Sequence, residues 1–223
     1  LYERKCTNVT LAEMSIYAAD ISSGEEYIAG ISSQGNVIVW KPENIQERFI
    51  IQTERRNITA IRFKPGESIL ALGNADGYVE LWDVSSKERI SAVRAHNGKV
   101  NDIRFNEVLN QMATAGNDQC IRIFNIADAK DLSEPPLVFA DNGGAVVSIR
   151  FSNDGQQIVS GTISVRQNLV SRPVNSSYMV SDICSLIPRN LTKEEWNLYV
   201  GRDIPHEMTC REFDLKIKVR EVK

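Results

Sequence analysis

Glu80-Leu81-Trp82-Asp83 ends a run of sequence, beginning at Ile58, that has the pattern of short strands joined by tight turns. The apolar stretches are rich in β-branched and aromatic residues, which favour a pleated sheet. Pro65-Gly66-Glu67 and Ala75-Asp76-Gly77 separate them and have the composition of tight turns. The predicted strands are Ile58–Phe63, Ile69–Leu72, Tyr78–Trp82 and Arg89–Arg94. The run therefore predicts one four-stranded antiparallel sheet.

The same unit recurs along the chain. Trp40, Trp82 and Phe124 are each 42 residues apart. A second landmark has spacings of 42 and 46 residues, at Ile61-Arg62-Phe63, Ile103-Arg104-Phe105 and Ile149-Arg150-Phe151. Two landmarks in register indicate a true repeat, and a four-stranded unit of this length is typical of a β-propeller blade. The predicted repeats are about 12–54, 55–96, 97–142 and 143–174.

These residues resemble the WD-repeat family. Val79-Glu80-Leu81-Trp82-Asp83 matches its closing motif, and Ala95-His96 stands where the family has Gly-His. The resemblance covers about residues 12–174 and implies an all-β fold, a β-propeller of four-stranded antiparallel blades. About four blades are expected here, as part of a propeller that usually has seven. Leu1–Lys5 is similar to the outer strand of a preceding blade, so we expect the C-terminal part of a larger propeller.

The resemblance also implies a hydrogen-bond network of His, Ser or Thr, Asp and Trp in each blade. No copy here has all four residues. One copy has Phe124 in place of the tryptophan, and another has Leu72 in place of the hydroxyl. The predicted network residues are His96, Thr114, Asp118, Asp76 and Trp82. We therefore expect the blades to depend mainly on apolar packing.

Residues 175–223 have a different pattern, which predicts a second domain with two helices and a final strand. Ser177–Ile187 has apolar residues at helical spacing, with Asn175 or Ser176 as the cap. Thr192-Lys193-Glu194-Glu195 has the form of a capping box, which predicts the start of a second helix. From Phe213 to Val219 apolar and charged residues alternate, which is typical of an edge strand.

A narrower resemblance covers this second domain. Arg189 to Trp196, followed by Asp203-Ile204-Pro205 and Thr209-Cys210, is similar to a cap after the last WD repeat in many bacterial multidomain signalling proteins. These include signal-transduction NTPases of the STAND class and proteins with caspase-like peptidase domains. The resemblance implies a bacterial origin and an effector or NTPase domain upstream in the same polypeptide.

Composition limits the partners. The formal net charge is −3, which lacks the basic footprint of a nucleic-acid surface. No apolar run approaches the roughly 18 residues of a membrane span. The four cysteines, Cys6, Cys120, Cys184 and Cys210, have no CxxC spacing, so we predict reduced thiols in a cytoplasmic protein. Neither nucleic acid nor a membrane is expected as a partner.

Catalytic and cofactor patterns are sparse. His96 with Thr114 and Asp118 has the composition of a nucleophilic set, but the blade network explains the same residues. His206 with Cys184 and Cys210 lacks a fourth zinc ligand. Phosphate-binding glycine loops are missing. We therefore predict no catalytic residue, no metal and no cofactor.

Binding residues are predicted on one rim of the propeller, where WD-repeat proteins typically bind peptides or proteins. The loops before the first strand of each blade form this rim. The candidates are Arg56, Asn97, Lys99 and Asn142. The main hypothesis is a non-enzymatic interaction or sensor module that binds a protein or peptide. One alternative is a scaffold whose open propeller edge assembles with another chain or a second copy; another is a hydrolase that uses His96.

Overall fold

A computed structural model describes residues 15–126, 132–164, 169–199, 201, 205–208 and 210. The chain divides into two compact units, Leu1–Ser171 and Arg172–Lys223. This division falls close to the predicted boundary between residues 174 and 175. The strands predicted at Leu1–Lys5 and from Phe213 to Val219 lie outside the described residues.

The first unit is built from short antiparallel strands. Their bounds are β1 Ile16–Ile21, β2 Ile28–Ser32, β3 Val37–Lys41, β4 Asn44–Ile51, β5 Ile58–Phe63, β6 Ile69–Asn74, β7 Tyr78–Asp83, β8 Glu88–Arg94, β9 Val100–Asn106, β10 Gln111–Gly116, β11 Ile121–Asn125, β12 Leu137–Phe139, β13 Ala145–Phe151, β14 Gln157–Ile163 and β15 Leu169–Pro173. The strands form sheets β1–β4, β5–β8 and β9–β12, here called blades 1 to 3, and a three-stranded blade 4, β13–β15, within the described residues. The prediction of antiparallel propeller blades is confirmed.

The strands of blade 2 bury both faces. Along β6, Leu70 and Leu72 belong to a cluster shared with blade 1. Ile69 and Ala71 point the other way, into a cluster shared with blade 3. Alternation along a strand thus serves two neighbours, which explains why the central strands are continuously apolar. Burying a leucine such as Leu70 fully contributes about 2 kcal/mol.

One repeat position links each inner strand to the next blade. The Tyr17 hydroxyl donates to the Ile58 carbonyl. The same contact recurs 42 residues later in each copy, from Thr59 Oγ1 to the Val100 carbonyl at 2.6 Å and from Asn101 Nδ2 to the Val146 carbonyl at 2.8 Å. Three different side chains therefore perform one structural role, in addition to the apolar packing.

Two carboxylates also cross between blades. Asp20 accepts the Phe63 N–H at 2.7 Å, and Asp102 accepts the Ile149 N–H at 3.0 Å. Burial raises the pKa of Asp102 above its ordinary value, against the lowering effect of the Ile149 N–H. These contacts satisfy amides of the inner strands that the strand ladder leaves free.

The second unit contains α1 (Ser176–Leu186) and α2 (Lys193–Tyr199). The Asn175 side chain caps α1 by accepting the Ser177 N–H at 2.9 Å. The predicted capping box of α2 is confirmed, because Thr192 N–H donates to Glu195 at 2.8 Å and Glu195 N–H donates to the Thr192 hydroxyl at 3.2 Å. Arg189 holds both Glu195 oxygens, at 2.6 and 2.7 Å, and with the Thr192 N–H lowers the pKa of Glu195 to about 2.

The prediction of reduced thiols is wrong for two cysteines. Cys184 and Cys210 form a disulfide, with Cα atoms 5.5 Å apart. The Asn190 side chain accepts the Cys210 N–H at 2.8 Å and donates to its carbonyl at 3.1 Å. These two bonds hold Cys210, which is 1% exposed, beside α1. Cysteine spacing could not reveal a contact that depends on the fold of the tail.

His206 also has a structural place in this unit. Its Nε2 donates to the Leu191 carbonyl at 3.0 Å, and its ring meets Trp196 edge-on at a centroid distance of 5.4 Å. Among the described residues no group of histidine, cysteine and carboxylate side chains could hold a metal ion. The described helices are all too short or too polar to cross a membrane.

Candidate binding rim

The loop between β8 and β9 is anchored by a buried histidine. His96 Nδ1 lies 2.8 Å from Asp118 Oδ1, and its Nε2 lies 2.8 Å from the Thr114 hydroxyl. Arg122 donates to the second Asp118 oxygen at 2.8 Å. His96 is 2% exposed and Thr114 is fully buried. The structure thus brings together three of the five predicted network residues and adds Arg122, which the sequence pattern did not indicate.

The protonation state follows from these contacts. Burial lowers the pKa of His96, against the opposite effect of Asp118. Burial alone would raise the pKa of Asp118, but hydrogen bonds from His96, Asn97 N–H and Arg122 lower it to about 2. At neutral pH His96 is therefore neutral, with Nδ1–H donating to Asp118 and Nε2 accepting the Thr114 hydroxyl.

Both parts of the network predict weaker folding in acid. The unfolded histidine has a pKa of about 6.5, above that of buried His96, so stability falls as the pH drops below about 6.5. Asp118 contributes stability that is complete above its unfolded value of 3.8 and is lost towards about 2. The raised pKa of Asp102 opposes this change between 3.8 and its folded value. Urea unfolding at pH 7.5, 5.5 and 3 should show decreasing stability, and His96→Gln should flatten the upper part of the profile.

A glycine fixes the neighbouring turn against this loop. The Gly77 carbonyl accepts both the Ala95 and the His96 N–H at 2.9 Å. Gly77 has φ +91°, and a Cβ there would lie 1.9 Å from the His96 carbonyl oxygen. The turn of blade 2 and the His96 loop therefore meet by backbone contact, which requires glycine.

Three of the four predicted rim residues are exposed. Arg56 lies in the β4–β5 connection, and Asn97 and Lys99 lie in the β8–β9 connection. The Asn97 N–H donates to Asp118 Oδ2 at 3.1 Å, so the buried network positions this residue directly. Beside Arg56, the guanidinium of Arg55 lies 3.5 Å above the Tyr78 ring, a cation–π contact that adds a further ordered cation.

Asn142 was predicted as a binding residue of the rim, but it is not on the surface. Its side chain is fully buried, and Nδ2 donates to the Gln119 carbonyl at 2.7 Å and to the Phe139 carbonyl at 2.9 Å. An amide held between two carbonyls inside the blade connects strands and is not open to a ligand. The position in a rim loop was readable from the sequence, but the direction of the side chain was not.

Trp82 and Asp76 do not join one network. The Trp82 indole donates to Glu80 Oε2 at 2.8 Å, and both side chains are buried. Asp76 is exposed, and its N–H donates to the Asn74 side chain. Leu72 stands where a Ser or Thr hydroxyl would connect Trp82 to the network. Glu80 accepts the hydrogen bond of the indole instead. Glu80 stands two positions before Trp82 and therefore on the same face of the strand. This spacing is the feature of the sequence from which the contact could have been predicted.

In blade 1, Gly30 stands at the repeat position of Leu72, and no glutamate replaces the missing hydroxyl. Trp40 stands 42 residues before Trp82, but Ile38 occupies the position of Glu80. The Trp40 indole nitrogen is buried without a hydrogen-bond partner in the described part of the chain. Blade 1 therefore lacks the polar partner that Glu80 gives to Trp82, and it depends on its apolar cluster.

The geometry of the His96 set does not suit nucleophilic chemistry. Thr114 would have to act as the nucleophile, yet its hydroxyl lies inside the blade and is fully buried. A reacting carbonyl must approach such an oxygen to about 3 Å. The arrangement can fix the His96 loop and its exposed neighbour Asn97.

Comparison with known proteins gives the same picture. Residues 21–108 match the family model described as the anaphase-promoting complex subunit 4 WD40 domain. Over 92 residues the chain is 32% identical to anaphase-promoting complex subunit cdh1 of Dictyostelium discoideum, covering 41% of this chain and 12% of that protein.

Two solved structures share the fold. A chain of the crystal structure of the mitotic checkpoint complex gives a TM-score of 0.59 at 17% identity, with 69% of this chain and 46% of that chain covered. The structure of U3-55K gives a TM-score of 0.58 at 20% identity, with 71% of this chain and 46% of that chain covered. The chain thus spans less than half of each of these proteins. Taken with the fold, the matches show that residues 21–108 are similar to a WD40 domain and that the strands form blades of a β-propeller.

Proposed function

We propose that this chain is a protein- or peptide-binding module whose contact surface is the rim formed by Arg56, Asn97 and Lys99. WD40 propellers typically act as protein-binding scaffolds. The observation that supports the rim is the bond from Asn97 N–H to Asp118, which connects an exposed loop to a buried network. A loop fixed before binding loses less conformational entropy in the complex, so the rim is suited to recognition.

The charges of the rim favour an acidic partner. Arg55, Arg56 and Lys99 lie on connections at the same end of the blades, and Arg94 is exposed beside Asn97. The exposed carboxylates on this end include Asp76, Asp141 and Glu54, and Glu54 is paired with Arg89 at 3.0 Å. Against an overall charge of −3, this local excess of cations would steer a carboxylate-rich segment to the rim.

Charge reversal on the rim tests this. Peptides selected on the wild-type protein from a randomised display library should be acidic, and Arg56→Glu with Lys99→Glu should weaken their binding by about tenfold or more in fluorescence anisotropy. Lys193→Glu, an exposed cation on α2, is the matched control and should leave binding unchanged. Equal binding by all three proteins would remove the rim from the proposal.

The wider setting proposed for this module is the C-terminal part of a bacterial multidomain signalling protein, with an upstream effector or NTPase domain. The sequence of Arg189 to Trp196 supports this proposal, while the Dictyostelium relative is eukaryotic. A cytoplasmic location stays a prediction, and the Cys184–Cys210 disulfide weighs against it because such bonds are rare in the cytosol. In the natural full-length protein, occupancy of the rim should change effector activity, and the Arg56 and Lys99 reversal should abolish that response.

A further inference from the structure

The apolar clusters between blades are copies of one another. The first seam, between blades 1 and 2, and the second seam, between blades 2 and 3, share members at a spacing of 42 residues. Examples are Ala29 and Ala71, Val37 and Val79, Ile58 and Val100, Ile61 and Ile103, and Val84 and Ile126. The second cluster has an additional member, Leu132, which has no such counterpart in the first.

Leu132 comes from the long connection between β11 and β12. Its side chain is 2% exposed, and its N–H donates to the Ser91 hydroxyl at 3.3 Å. Ser91 lies in β8 of the neighbouring blade, so Leu132 lies over the second seam. The chain thus seats one of its own leucines where two blades meet.

The first seam has an open cavity at the corresponding place. Its β7–β8 connection, Val84 to Lys87, is too short to bring a residue over the seam in the same way. The cavity has a volume of about 340 Å³ and is lined by Tyr27, Trp40, Phe49, Val84, Ser85 and Lys87, among others. Phe49 occupies the repeat position of Ser91 and fills part of the space, and the cavity remains beside it.

Cations surround this cavity. Lys41, Arg48 and Lys87 line it together with Glu47, which is paired with Lys41 at 3.1 Å. Lys87 has φ +64° and places its Nζ 5.1 Å from the centre of the Phe49 ring. Lys41 is offset by Glu47 and by nearby Glu26, so the positive charge that complements an acidic segment lies on the side of Arg48 and Lys87.

We propose that the cavity of the first seam binds a short extended segment of a partner protein, with a leucine flanked by acidic residues. The second seam supplies the template, because Leu132 is flanked in the sequence by Asp131 and Glu134. The partner leucine enters between the aromatic rings, and its neighbouring carboxylates meet Lys87 and Arg48. This site lies at the opposite end of the blades from the rim, since consecutive connections alternate between ends, and it does not depend on the rim proposal.

A labelled peptide that copies residues 128–136 of this chain is the probe, titrated into the whole protein by fluorescence anisotropy. Saturable binding is expected, together with a loss of about tenfold or more when the peptide leucine is replaced by alanine. Lys87→Glu should weaken binding by a similar factor. Lys87→Gly suits the positive φ and should keep the fold while still weakening binding. Arg56→Glu with Lys99→Glu should change nothing here, so failure of this site and failure of the rim are distinguishable.

The proposal is overturned if no binding occurs up to about 1 mM peptide, or if binding is the same with Lys87→Glu and with the leucine-free peptide. Analytical ultracentrifugation of the unliganded protein tests whether a second copy of the chain occupies the cavity instead. A concentration-dependent dimer that dissociates in Lys87→Glu would mean that a second copy fills the cavity, which also overturns the assignment to a partner protein.

Discussion

Replacing Cys184 with serine is expected to lower the free energy of unfolding of the second unit by about 3 kcal/mol. The disulfide to Cys210 closes a loop with a sequence separation of 26 residues, and opening it restores the freedom of that loop in the unfolded chain. Among the described residues of this unit, α2 has no buried residue and Leu186 on α1 is 83% exposed, so the apolar packing seen there is small. A loss of this size is a large fraction of the stability of a small unit.

Hydrogen exchange measured by mass spectrometry reports each unit separately. Amides of α1 and α2 should exchange about a hundredfold faster in Cys184→Ser, while those of β5 to β7 should keep their wild-type rates. Cys120→Ser is the matched control, because Cys120 is a free thiol of the first unit. Reduction of the wild-type protein should reproduce the Cys184→Ser pattern. Unchanged exchange in both helices after reduction would show that Asn190 alone holds Cys210.

The blades were predictable because periodicity survives substitution. Each predicted strand of blade 2 matches an observed strand to within two residues at either end, from Ile58–Phe63 to Glu88–Arg94. Apolar type is enough for this, since Ile58 and Val100 or Leu70 and Met112 fill equivalent space. Fold recognition therefore needs only the pattern of buried positions and the turns between them.

Polar contacts were predictable only where the residue type was retained. His96, Thr114 and Asp118 kept their types and came together. Tyr17, Thr59 and Asn101 perform one role with three different side chains, so only their shared repeat position could have indicated it. Side-chain direction within a loop depends on tertiary contacts that a single sequence does not contain. For the same reason Asn142 was assigned to the rim surface and is buried.

Replacing Asp118 with alanine is expected to cost about 3 kcal/mol of stability in the first unit. The carboxylate accepts from His96 Nδ1, Asn97 N–H and Arg122 Nη1, and its removal leaves the buried His96 donor and the partly buried Arg122 guanidinium without this acceptor. A buried donor left unsatisfied costs about 1–3 kcal/mol, and one partner of a buried ion pair costs more. Urea unfolding followed by tryptophan fluorescence measures this loss, since Trp40 and Trp82 both lie in the first unit.

Asp76→Ala is the matched control, because Asp76 occupies the same repeat position 42 residues earlier and is exposed. Its removal should cost less than about 0.5 kcal/mol. Asp118→Asn keeps the size and one acceptor oxygen, so it should fall between the two. The family pattern treats both aspartates alike, whereas the structure assigns the network role to Asp118 only. Equal losses at the two positions would contradict that assignment, and with it the view that the buried network positions Asn97 on the rim.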